Sequence, residues 1–302
     1  RASLLKGSGE DEAAPEQLDT LLSLQPDFYP AWELQGKLHA SRGELDAAII
    51  ALGKAIDMAP RPTMPLFNRG LYLAQTGDLE GAEADEIRLR RLRGVSDPYV
   101  NYLRGVVAAK REDWEMAGSA FDQAMAAGLQ DNLALVYNAG VVQFRLGRYE
   151  QARALLDRYV NANPRHIPGR KLLAMTCVQI ADLRCAEEML RPIVRSRPKD
   201  AASANLLSSV LSGMGRTSDA LAILQGLPEE QQSESSTAVR LATLLIQSEL
   251  ENDAGQADGG TVRGLLNGEI KKSPRSMSPY ILLALYEAWK GAYTAAEKVV
   301  AQ

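Results

Sequence analysis

His39 and His166 are the only imidazoles in the 302 residues, and neither has a companion at the spacing that a metal site or a nucleophile–base pair needs. His39 falls on an inward place of its helical pattern and reads as a core residue. Glycines recur at intervals of about 34 residues with no strand before them, a pattern of helix packing rather than of a phosphate-binding loop. No catalytic residue, metal site or cofactor is expected. Cys177 and Cys185 lie four residues either side of Ala181, at the turn of a predicted helical hairpin, so their backbones can come within the roughly 4.4–6.8 Å that a disulfide requires. Two free buried thiols are the other reading of the pair; a bond would imply an oxidising compartment.

Composition narrows the partners. Lys and Arg number 34 against 38 Asp and Glu, which leaves no basic excess of the kind that nucleic-acid binding draws on. No apolar run approaches the length of about 20 residues that spans a bilayer, and no charged-then-apolar leader follows Arg1. Any membrane attachment is expected only through termini beyond this sequence.

The element that must position everything else is a repeat, displayed most clearly over residues 134–164. Two short amphipathic helices meet there at a turn around Gly147, with small residues Gly140 and Ala152 where the helices touch. Laid along the chain, the pattern starts units near Tyr29, Thr63, Pro98, Leu133, Ile167, Ala201, Ser235 and Met277, at spacings of 34, 35, 35, 34, 34, 34 and 42 residues. The eighth place of each is small (Gly36, Gly70, Gly105, Gly140, Ala174, Ser208, Ala242, Ala284), and so is the twentieth in most (Ala48, Ala82, Ala117, Ala152, Ala186, Ala220, Ala296, with Val262 after a gap). Small side chains let helix backbones approach where bulk would overpack them. Prolines open first helices (Pro30, Pro65, Pro98, Pro168, Pro279) or close second ones (Pro60, Pro164, Pro198, Pro274). Residues 10–26 fit only the second half of a unit and the last unit, 277–302, is cut short, so the sequence reads as a piece of a longer repeat protein.

Three departures stand out. Glu86 takes a place that is apolar in other units, inside a charged helix, EADEIRLRRLRG, expected to be a solvated outer face. Pro192 lies inside a second helix and should kink it, because it removes an N–H and crowds the carbonyl of Glu188. The seventh unit carries a polar insertion over 251–260, expected to be a mobile loop, with a docking loop as the alternative.

The order of Val136, Ala139, Gly140, Gly147, Tyr149, Ala152, Leu156, Tyr159 and Pro164 resembles the tetratricopeptide repeat, a unit of 34 residues. The resemblance covers nearly the whole chain. It implies an all-α, right-handed superhelical solenoid of helical hairpins, a single array over 1–302 with a partial unit at 1–28. First helices would line a concave groove. At its places fall Phe67, Asn68, Leu71, Tyr99, Tyr102, Val106, Lys110, Tyr137, Asn138, Val141, Phe144, Arg145, Lys171 and Met175. An aromatic recurs at the fifth place in Phe67, Tyr102 and Tyr137. Rings beside amides suit a peptide backbone or a sugar face, although the same rings could pack against the neighbouring unit. The groove is expected to take a protein or peptide partner, with polysaccharide as a further candidate.

Within the superfamily, the segment beginning YNAGVVQF, with RKLLA at 170–174 and the Leu-Arg-Pro break at 190–192, is similar to the bacterial repeat lipoproteins of PEP-CTERM/exosortase and exopolysaccharide systems. That likeness implies a non-catalytic periplasmic or envelope scaffold in exopolysaccharide export or protein sorting. The alternatives are a cytoplasmic or periplasmic adaptor or chaperone for pilus or secretion-system assembly, and a repeat arm of a larger enzyme. Co-chaperones of the same superfamily that grip a carboxylate need cations where this chain has Tyr99 and Leu103; only Asn68 matches, so that clamp is not expected.

Overall fold

The computed structural model describes residues 13–252 and 259–300, all in helices or the turns between them. Most of the 251–260 insertion, and residues 1–12 and 301–302, lie outside the described residues. The chain divides into two compact units, residues 1–162 and 163–302. In the first, α1 (Ala13–Leu24) is followed by α2 (Tyr29–Ser41), α3 (Leu45–Met58), α4 (Thr63–Thr76), α5 (Leu79–Arg93), α6 (Pro98–Lys110) and α7 (Trp114–Ala124). A π-turn (Met125–Leu129) leads to α8 (Leu133–Arg145) and α9 (Tyr149–Ala162). In the second, α10 (Ile167–Gln179), α11 (Leu183–Ser196), α12 (Ala201–Gly213), α13 (Thr217–Gln225) and the single turn α14 (Glu229–Gln232) precede α15 (Ser235–Asn252), α16 (Gly259–Lys272), α17 (Met277–Trp289) and α18 (Tyr293–Val300). Within each unit consecutive helices pack as antiparallel hairpins, and each hairpin packs on the next.

Acidic caps start many of these helices. Asp78, Asp113, Asp182 and Asp200 each accept a backbone N–H three residues on, satisfying a donor that the first turn leaves free. The turn inside a hairpin needs one residue in the left-handed region, and Gly43, Gly77, Gly147, Gly215 and Gly291 supply it. At the same place of two other hairpins stand Glu112 and Ala181, with φ of 61° and 60°. A side chain there costs roughly 1–2 kcal/mol. Glu112→Gly is therefore expected to raise the unfolding free energy by about 1 kcal/mol in urea titrations, and a loss of stability would show that the Glu112 side chain contributes more than its backbone costs.

The eighth-place glycines allow close contact. A Cβ on Gly105 would lie 2.5 Å from two ring carbons of Phe121, and one on Gly140 would lie 2.9 Å from Leu156. Leu52, Phe121, Leu156, Leu190 and Leu224 share the twenty-fourth place of their units and are all buried.

Glu86 holds that same place between α4 and α5, and the expectation of a solvated face fails there. Glu86 keeps 6% of its surface and Asp85 1%, because the twenty-fourth place points inward in the other units too and Asp85 is turned toward Arg69. Arg69 on α4 donates to both oxygens of Asp85, at 2.8 and 2.6 Å. Those bonds, more than any other influence, raise the proton affinity of Arg69 against the opposing effect of burial. Burial pushes the Glu86 carboxyl above its ordinary pKa, with Arg90 and Arg104 opposing.

Pro192 lies inside α11. The carbonyl of Glu188, denied its usual N–H, accepts from Arg170 Nη2 at 3.0 Å, and Arg170 Nε donates to the next carbonyl, Met189, at 3.2 Å. The arginine of the RKLLA segment thus serves the proline of the Leu-Arg-Pro break. Cys177 and Cys185 form a disulfide that ties α10 to α11, with Cα atoms 5.9 Å apart.

Candidate binding cleft

The residues assigned to a groove separate into three groups. Phe67 and Tyr102 are 5% and 4% exposed and belong to the core of the first unit, so the fifth-place aromatics do not form an open ladder. The reason is mutual: the Phe67 ring meets Tyr99 at 5.0 Å and Tyr102 at 5.5 Å, and Tyr102 meets Phe121 at 6.0 Å. Aromatics in adjacent units fill one another's space before any ligand can. Tyr137 is half-buried against Tyr159, ring centroids 4.7 Å apart, and Phe144 against Tyr149 at 5.6 Å. Asn68, Leu71 and Tyr99 are half-buried, the last two packed on the same core.

The second group does meet. Val106 and Lys110 on α6 and Asn138 and Val141 on α8 line a cleft of about 220 Å³, with Ala109, Val142, Phe121 and the opening residue of α7, Trp114. Its floor is aliphatic and aromatic; its polar groups are the Asn138 amide and the exposed Lys110 ammonium. Asn138 Nδ2 donates to the Tyr102 hydroxyl at 3.3 Å, which holds the amide at the wall of the cleft. Burial pushes the Tyr102 phenol up to about 12, with the Asn138 bond opposing. The exposed Arg145 guanidinium stands 5.4 Å from the Trp114 ring centroid. Trp114 was not among the groove residues, since it opens a second helix; the signal available was a large aromatic directly after the turn. Such a cleft can desolvate one apolar side chain and hold a neighbouring backbone group to Asn138.

The third group lies in the second unit. Lys171 pairs with Asp200 at 2.7 Å, and Met175 is 42% exposed.

The histidines have structural partners. His166 caps α10, its Nδ1 accepting from the Gly169 N–H at 3.1 Å. His39 is half-buried and meets Glu44 across its hairpin turn, so it is not the core histidine expected. Among the described residues no group of three or more His, Cys, Asp or Glu is placed to hold a metal ion, and no helix is long and apolar enough to cross a membrane.

Family models of the tetratricopeptide repeat match residues 1–65 and 108–176. None of the curated proteins matches the chain. Solved structures do. A chain of the APC/C hetero-tetramer Cut9–Hcn1 aligns with a TM-score of 0.59 at 21% identity, over 67% of this chain and 40% of its own length. PilW, a type IV pilus biogenesis factor, aligns with a TM-score of 0.55 at 17% identity, over 72% of this chain and 98% of its own. PilF of Pseudomonas aeruginosa aligns with a TM-score of 0.54 at 16% identity, over 72% and 94%. At such identities the likeness concerns fold. Residues 1–65 and 108–176 thus match the tetratricopeptide repeat, and the chain has the all-α fold of helical hairpins that such repeats build.

Proposed function

We propose that the chain is a non-catalytic protein-interaction scaffold, and that the cleft between α6 and α8 receives an apolar side chain of its protein partner. The observation that carries this reading is the convergence of Val106, Lys110, Asn138 and Val141, on the first helices of adjacent repeats, around one apolar space with an amide fixed at its wall. Enclosed apolar space beside a few oriented polar groups is the usual form of a recognition pocket.

The compartment we propose is oxidising, the periplasm or cell envelope, and the disulfide supports it because such bonds persist where thiols are not kept reduced. In that setting the leading role is a scaffold in exopolysaccharide export or associated protein sorting, as the resemblance to repeat lipoproteins implies. The alternative is an adaptor in pilus or secretion-system assembly, the setting named for PilW. The partner's identity decides between them.

The test is site-specific photo-crosslinking in intact cells of the native host, with benzoylphenylalanine at position 110 in the cleft or at position 88, an exposed place on α5. A protein adduct from position 110 alone, found in the envelope fraction and abolished by Val141→Trp in a folded chain, is the expected result. Equal adducts from both positions, or one indifferent to Val141→Trp, would remove the cleft from the proposal; adducts confined to the cytosol would remove the compartment.

A further inference from the structure

Pro192 lines a cavity at the open end of the α10–α11 hairpin, the end away from its turn at Ala181. Pro164 and Ile167, where the chain enters α10, and Pro192 and Ile193, in the last turns of α11, enclose about 290 Å³ with Ser196 beside them. Arg170 forms a fixed wall, because its guanidinium donates to the carbonyls of Pro164, Glu188 and Met189. The arginine that answers the proline break therefore also holds the apolar floor in shape.

Charge is distributed unevenly around this space. Between residues 163 and 199 the chain has eight Lys and Arg against three Asp and Glu, although its net charge is −4. Lys171 is paired with Asp200 and Arg191 with Glu187. The exposed Arg165, Arg195, Arg197 and Lys199 have no carboxylate partner among the described residues. Arg165 lines the cavity itself. Arg195 stands three residues after Pro192, the spacing of neighbours on a helix surface, and Arg197 and Lys199 lie in the turn that leaves α11. A one-signed rim steers and selects a partner of the opposite sign. The concave apolar floor can desolvate one aliphatic side chain, which a flat bilayer surface does not present.

We propose that this end of the hairpin docks an acidic segment of a protein partner, one apolar side chain of which enters the cavity while flanking carboxylates meet Arg165 and Arg195. Every cation of the rim lies outside the first helices, in the turns or on α11. The site stands in the second unit and shares no residue with the cleft between α6 and α8, so either can fail without the other.

A fluorescein-labelled, C-terminally amidated peptide, Glu-Glu-Leu-Leu-Glu-Glu, tests this on the full chain by fluorescence anisotropy. Glu-Glu-Ser-Ser-Glu-Glu is the control for charge alone, and Gln-Gln-Leu-Leu-Gln-Gln the control for apolarity alone. The acidic leucine peptide should bind more tightly than either. Reversing two rim charges, Arg165→Glu with Arg195→Glu, should weaken it about tenfold, the order that two exposed ion pairs supply. Arg88→Glu with Arg91→Glu, equally exposed cations on α5, should leave it unchanged. Ser196→Trp, which fills the cavity and keeps the rim, should reduce the leucine peptide to the affinity of the serine peptide. Absence of leucine-peptide binding, equal binding of the serine peptide, unchanged affinity after the rim reversal, or an equal loss in the α5 variant would each overturn the site. So would phosphatidylglycerol vesicles that bind the parent through Arg165 and Arg195 while the peptide does not, which would give the rim to a membrane surface. If the charge-reversed chain fails to fold, Ser196→Trp decides alone, and an undiminished preference for leucine over serine overturns the cavity.

Discussion

Replacing Asp85 by alanine is expected to lower the unfolding free energy of the first unit by about 3 kcal/mol. Asp85 is 1% exposed at its side chain and is the one carboxylate bonded to Arg69, through two hydrogen bonds. Removing it leaves a guanidinium in the gap between α4 and α5 with nothing to answer it. The figure sits at the low end of what breaking a buried ion pair costs, because Arg69 keeps 22% of its side chain in water and can relax outward. The pair as a whole contributes less than its rupture suggests, since desolvating both charges offsets much of their attraction. Arg69→Met combined with Asp85→Leu should therefore recover most of the lost stability. Urea unfolding followed by the helical signal decides the matter: a single Asp85→Ala variant within about 1 kcal/mol of the parent would mean the pair behaves as a surface bridge.

The second large effect lies at the contact of α6 with α7. Phe121→Ala should cost about 3–5 kcal/mol, the usual range for emptying a buried aromatic site. Gly105→Ala is the more discriminating change. In most helix interiors that substitution stabilises by about 1 kcal/mol, yet here the new Cβ would lie 2.5 Å from Phe121 Cδ1 and Cε1. Phe121 is fully buried and cannot swing away, so strain outweighs propensity and a net loss of about 1–2 kcal/mol is expected. Adding Phe121→Leu to Gly105→Ala should cost less than the two separate losses combined, since each removes the other's crowding. As a control, Gly268→Ala in α16 meets nothing within 4 Å and should stabilise. If Gly105→Ala stabilises as well, the eighth-place glycines are not there for close approach.

The fold was legible because its determinants are local and repeated. A small residue at the eighth place, a turn glycine seven residues later and a proline at a helix start each act within one hairpin, and the first helices α2, α4, α6, α8, α10, α12, α15 and α17 begin at the residues where the pattern begins its units. The cleft was legible only in part. Whether a fifth-place ring is open depends on what the next first helix brings against it, and Phe67 is closed over by Tyr99 and Tyr102 from outside its own unit. The burial of Asp85 depends on Arg69, 16 residues earlier on a different helix; read along α5 alone, EADEIRLRRLRG has only the look of a solvated surface. His166 seemed to lack a companion because its partner is a backbone N–H, which no pattern of side chains reveals. Arg170 and Pro192 were each visible, and what links them is a carbonyl that neither residue owns.

The bond between Cys177 and Cys185 reaches beyond the hairpin it closes. It turns the segment between two cysteines eight positions apart into a covalent ring. If the chain were drawn out from its two ends, every other hairpin would yield its whole length once its helices parted, while α10 and α11 would withhold the ring. The contour length of the extended chain therefore depends on whether its surroundings reduce that bond, so a measurement of length alone would register the thiol chemistry of the medium.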